Sequence, residues 1–109
     1  MIDITVVLGE DGVLRKLEVS GHSDYKDEND VVCAAVSVLT QTFYLSLINI
    51  PEINYFYSDK DGFLKITVDK YCEVFASELR GISMFLTLGL EAISKKYKNF
   101  VNLKMSKGV

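Results

Sequence analysis

The chain opens with apolar residues alternating with polar or small ones, Ile2, Ile4, Val6 and Leu8, the period of two that marks a strand with one buried face. Gly9-Glu10-Asp11-Gly12 supplies turn residues, and Val13, Leu14, Leu17 and Val19 continue the pattern, so a hairpin is predicted first. Residues 21–29 are almost wholly polar and hold Asp24, Lys26, Asp27 and Glu28; such a stretch is expected to be a solvated, mobile loop. Asn29 or Asp30 then suits the N-cap of a helix. From about Val31 to Ile48 the positions Val32, Val36, Leu39, Phe43 and Leu47 recur at three- and four-residue intervals, a helix face directed at a sheet. Val31, Val38 and Leu45 add apolar surface on one flank, and Pro51 stops the helix.

A second hairpin is expected from Ile53 to Tyr57 and Phe63 to Val68, with the turn Ser58-Asp59-Lys60-Asp61-Gly62 between. Glu73 opens a long helix to about Tyr97, with Val74, Phe75, Leu79, Ile82, Phe85, Leu86, Leu90 and Ile93 on a broad apolar front that Met84, Leu88 and Ala92 carry nearly around it. Phe100 to Met105 alternates again as a last strand, with Lys104 suited to guarding a sheet edge. The order ββαββαβ predicts an α+β fold: a mostly antiparallel sheet covered by two helices, in one domain over residues 1–109. A helix apolar on most sides must be covered on most sides. A helix-mediated homodimer is therefore expected.

With 109 residues and a hydrophobic fraction of 49%, the chain can build one core. A net charge of -3 argues against a nucleic-acid footprint, which needs a basic face. No basic segment with a small-residue cleavage site opens the sequence, and the apolar stretch Ile82 to Ile93 is too short to span a bilayer, so a cytoplasmic protein without membrane contact is expected. In that reducing compartment Cys33 and Cys72 are read as thiols rather than a disulfide. One histidine and two cysteines without short ligand spacings predict no metal site.

The chemistry centres on Gly21-His22 and, eight residues after the histidine, Asp30-Val31-Val32-Cys33-Ala34-Ala35-Val36-Ser37. A thiol in the first turn of a helix feels unpaired N–H groups and the positive end of the macrodipole, which favours thiolate. A histidine that swings to it completes a nucleophile–base pair. Gly21 allows positive φ and close backbone approach where a strand turns a side chain into a cleft. Ordinary explanations exist for each part: cysteines are usually inert packing, which is how Cys72 is read, a lone histidine is usually structural, and Asp30 serves as an N-cap.

At these residues the sequence resembles the ribosomal-processing cysteine proteases called Prp, in its signature, length and element order. That resemblance implies small cytosolic homodimers that remove a short N-terminal extension from the bacterial L27-type large-subunit ribosomal protein. It implies Cys33 as nucleophile, His22 as general base, Asp30 as a supporting residue and Ser37 as a site-lining one, with no cofactor. The acidic loop residues Asp24, Asp27 and Glu28 are expected to favour a basic substrate and to close over it. Two other readings use the same residues. In one, the chain is a non-catalytic ribosome-associated module that clamps a protein tail; in the other, a redox sensor in which Cys72 reaches Cys33.

Overall fold

The computed structural model describes the backbone of residues 1–21 and 27–108, and side chains outside 27–30. The elements are β1 (Ile2–Leu8), β2 (Leu14–Ser20), α1 (Asp27–Ile48), β3 (Tyr55–Lys60), β4 (Phe63–Val68), α2 (Ala76–Lys96) and β5 (Val101–Lys107), with a 3-10 turn Glu73–Phe75 leading into α2. The five strands form one sheet in the order β3-β4-β2-β1-β5. Three pairings are antiparallel, and β5 runs parallel to β1 with Ile2 opposite Val101. The α+β architecture and the ββαββαβ order agree with the sequence pattern, and β5 takes the edge that Lys104 suits.

Strand alternation sorts the sheet into two faces. Ile2, Ile4, Val6, Leu17, Leu64, Ile66, Val68 and Val101 are buried on one face. Both helices lie against that face and contribute Val32, Val36, Phe43 and Leu47 from α1 and Leu79, Leu86 and Leu90 from α2 to the same core. The opposite face carries Lys16, Glu18 and Lys65, with Glu18 bridging the two lysines at 4.0 and 3.8 Å.

Several boundaries differ from the sequence reading. The second hairpin is tighter: β3 runs to Lys60, which pairs with Phe63, leaving only Asp61 and Gly62 in the turn. Both have positive φ, 56° and 75°, the type I′ geometry whose twist matches the flanking strands. Val74, in the 3-10 turn, and Phe85, on α2, belong to the expected apolar front but are exposed, at 75% and 71%, while Ser83 and Thr87 of α2 are buried instead. The Ser83 hydroxyl accepts a hydrogen bond from the Leu14 N–H at 2.9 Å, fastening α2 to the start of β2. The helical segment long and apolar enough to compare with a membrane span is Val31–Ile48, not Ile82 to Ile93; its 18 residues meet the length and composition. Its inner side packs on the sheet through Val32, Val36, Phe43 and Leu47, as an apolar core helix does.

The first hairpin is fastened at its turn. The Asp11 carboxylate accepts from the Tyr71 hydroxyl, from Arg15 at 3.1 Å and from the Val13 N–H at 3.0 Å. The Tyr71 hydrogen bond holds the Asp11 carboxyl below its ordinary value and, reciprocally, pushes the Tyr71 hydroxyl up.

Candidate active site

Helix α1 begins at Asp27, about one turn before the predicted start. Asp27, Glu28 and Asp30 fall in its first turn, where carboxylates interact favourably with the positive end of the helix dipole. The polar composition of this stretch suggested a loop, yet the same acids suit a helix start. Asp30 is therefore the fourth residue of the helix and not its N-cap. Cys33 is the seventh, about 9 Å along the axis from Asp27. Unpaired N–H groups are confined to the first four positions and the dipole's influence to the first turn. Cys33 thus does not open the helix, and first-turn N–H groups are too distant to hold an oxyanion at its thiol.

Position beside a cleft distinguishes Cys33 instead. Cys33, Ser37 and Gln41 are spaced four apart on one strip of α1, next to the core strip of Val32 and Val36. That strip faces a depression of about 250 Å³ at one end of the sheet. Ile2, Val19, Gly21, Gly62 and Leu64 line its floor and sheet-side rim, and Asp59 closes the far side. Cys33 is half-buried there and Ser37 exposed.

Gly21 is fixed in this place by backbone geometry. Its φ is +93°, and a Cβ on it would run into the carbonyl oxygen of Met1. Only glycine lets the end of β2 turn at this angle so close to the start of β1. His22 and Asp24 lie outside the described residues, as do the side chains of Asp27, Glu28 and Asp30. Of the named site residues, the structure brings together Cys33, Ser37 and Gly21, the covalent neighbour of His22.

Two lining residues escaped the sequence reading, Gln41 and Asp59. The four-residue spacing from Cys33 through Ser37 pointed to Gln41, whereas Asp59 was assigned to a turn. The Gln41 side-chain amide and the Tyr57 hydroxyl both donate to Asp59 Oδ2, each at 3.4 Å. Tyr57 stacks on Tyr44 of α1 with ring centroids 3.6 Å apart. Burial and the Asp59 charge raise the Tyr57 phenol above its ordinary value, so it remains a donor at neutral pH.

The two cysteines are not joined. Cys72 borders a different depression with Glu52, Asn54 and Tyr71, beyond the end of β4 opposite to the one where Gly62 and Leu64 meet Cys33. Six strand residues separate those ends by roughly 20 Å, far beyond disulfide reach. The redox-sensor reading loses its second thiol. Among the described residues no three His, Cys, Asp or Glu side chains converge as metal ligands.

The comparison that bears on these residues is a family one: the model of the cysteine protease Prp family matches residues 1–102, which contain every helix, β1 to β4 and the start of β5. The chain belongs to the Prp family. Solved structures share the fold. A Streptococcus mutans protein is 23% identical with a TM-score of 0.78, the match covering 98% of each chain. The essential ribosomal processing protease Prp of Staphylococcus aureus, crystallised with a substrate peptide, is 18% identical with a TM-score of 0.78 over 96% of this chain and 99% of that one. The same S. aureus protease bearing a covalently linked product peptide gives 19% identity, a TM-score of 0.78 and the same coverage. No curated protein matches the chain in sequence. Membership of the Prp family makes the chain a member of a cysteine protease family with a ribosomal-processing relative.

Proposed function

We propose that this protein is a cytoplasmic cysteine endopeptidase that removes the N-terminal extension of the bacterial L27-type ribosomal protein, with Cys33 as nucleophile and His22 as general base. The observation that carries the reading is the half-buried Cys33 in a cleft whose rim is Gly21, the residue before the only histidine. That the S. aureus relative has been crystallised with a covalently linked product peptide supports a reaction through a bond between protein and peptide. In the first step the Cys33 thiolate adds to the scissile carbonyl carbon. The C–N bond then breaks as protonated His22 gives its proton to the leaving amine, leaving a thioester. Water, deprotonated by His22, attacks that thioester and releases the new carboxyl end, with the thiol regenerated. Asp30 orients the imidazole and Ser37 lines the bound peptide, and the scheme needs no metal or cofactor. The acidic Asp24, Asp27 and Glu28 attract a cationic ribosomal tail.

Incubating the purified protein with its organism's own L27-type precursor and following the mass of the product tests this directly. A single shortened product is expected, and His22→Ala should lower turnover by roughly a hundredfold or more, the size of a general-base contribution, while leaving precursor binding in place. An intact precursor after prolonged incubation, or normal processing by His22→Ala, would overturn the assignment.

The proposed working unit is a twofold dimer. An apolar groove of about 520 Å³ lies between the helices, lined by Val38, Leu39 and Phe43 of α1 and Gly81, Ile82 and Phe85 of α2. Val31, Val38 and Leu45 form an exposed row beside it, and Met84, Phe85 and Leu88 are exposed on α2. So much clustered apolar surface is characteristic of an interface. Sedimentation should show a dimer for the native chain and monomer or aggregate for Met84→Lys or Leu88→Lys. A stable native monomer at high concentration would refute it.

A further inference from the structure

Alternation along β3 sends Tyr55, Tyr57 and Asp59 to the face beneath α1, where Tyr44 packs edge-on against Tyr55 and flat against Tyr57. Lys60 belongs to the opposite face. This small aromatic wall braces an exposed carboxylate at the far side of the Cys33 cleft, with two donors converging on one of its oxygens. Neither donor carries a charge that would offset that of a carboxylate facing the cleft. The eight residues from Cys33 to Gln41 span about 12 Å of helix, and Gln41 is the α1 residue bonded to Asp59. An extended peptide advances about 3.3 Å per residue. A chain laid along α1 with its scissile bond at Cys33 therefore brings its third or fourth residue from that bond alongside Asp59.

We infer that Asp59 is a specificity-determining residue that selects a lysine or arginine three or four positions from the cleaved bond, on one flank of it. The inference rests on Cys33 as the reacting residue. A purely structural role would consist of tying β3 to α1 through Gln41 and Tyr57, and Asp59→Asn preserves those hydrogen bonds while removing the charge.

The experiment scans one lysine through five positions on each side of the scissile bond in an otherwise neutral peptide, and compares wild type, Asp59→Asn and Asp59→Lys. Lysine at the third or fourth position of one flank should raise kcat/KM by up to about fivefold over alanine in the wild type, the range of a solvent-exposed ion pair. The gain should shrink at high salt. It should vanish in Asp59→Asn at unchanged melting temperature, and Asp59→Lys should favour glutamate at the same position. A lysine preference that survives in Asp59→Asn, or a wild type indifferent to lysine at those positions, overturns the inference. Binding of the same peptides to the Cys33→Ala variant separates the two levels. If wild type cleaves none of them, proteolysis is the part that fails, and the dependence of binding on Asp59 still decides the subsite.

Discussion

Replacing Cys33 by alanine is expected to abolish peptide-bond cleavage while leaving the fold almost untouched. Without the sulfur no thioester forms, and the loss in kcat should be at least about a thousandfold, as for removal of a covalent nucleophile elsewhere. The side chain is half-buried beside the core strip rather than within it, so the loss of stability should stay near 1 kcal/mol. Cys72→Ala, in its separate depression, should retain activity. Precursor cleavage followed by mass spectrometry, together with thermal unfolding of each variant, checks both halves. Cleavage by Cys33→Ala at the wild-type rate would remove the nucleophile assignment.

Gly21→Ala is expected to be the most damaging single methyl group that can be added near the cleft. At φ +93° an L side chain is strained, at a cost of about 1–3 kcal/mol. The added Cβ also meets the Met1 carbonyl oxygen, a backbone atom that moves only with β1. Together these should lower stability by roughly 2–4 kcal/mol, and any relaxation tilts the chain that leads into His22. Activity should therefore fall further than the folded fraction does. Chemical denaturation gives the first number and turnover per folded molecule the second. A variant with native stability and native turnover would mean that the positive-φ turn is dispensable.

The strands and helices were legible because their signals are local. Alternation at Ile2 to Leu8 and the Asp61-Gly62 pair specify a strand and a turn without reference to the rest of the chain. The start of α1 was misread for an equally local reason: Asp27, Glu28 and Asp30 read as loop residues, and acidic residues are favoured in the first turn of a helix as well. What sequence could not supply was juxtaposition. Asp59 reaches the Cys33 cleft only because β3 pairs with β4, placing its end under Gln41 of α1, a meeting between residues 18 positions apart. Burial of Ser83 and exposure of Phe85 likewise depend on which side of α2 faces the sheet. Its apolar residues cover too much of the circumference to specify that side alone. Cys33, Ser37 and Gly21 were identified in the sequence and do share one cleft. The physical reason first given for Cys33, a place in the first turn, did not survive the longer helix.

The parallel pairing of β5 with β1 joins the two ends of the sequence, Ile2 beside Val101. Closing a loop of that length costs roughly 4 kcal/mol of chain entropy, whereas the hairpins β1–β2 and β3–β4 close over far shorter distances and the β2–β4 pairing, which joins Ser20 to Phe63, lies between these extremes. Each hairpin can thus form from near neighbours in the chain, whereas joining the two requires α1 to be crossed and the fifth strand depends on everything between. Until β5 is in place, β1 is an open edge, and its first buried residue, Ile2, lines the cleft on the same face of the sheet that Ile4 and Val6 continue into the core. The strand furthest along the polypeptide therefore seals the flank of the sheet whose first residues support the reactive end.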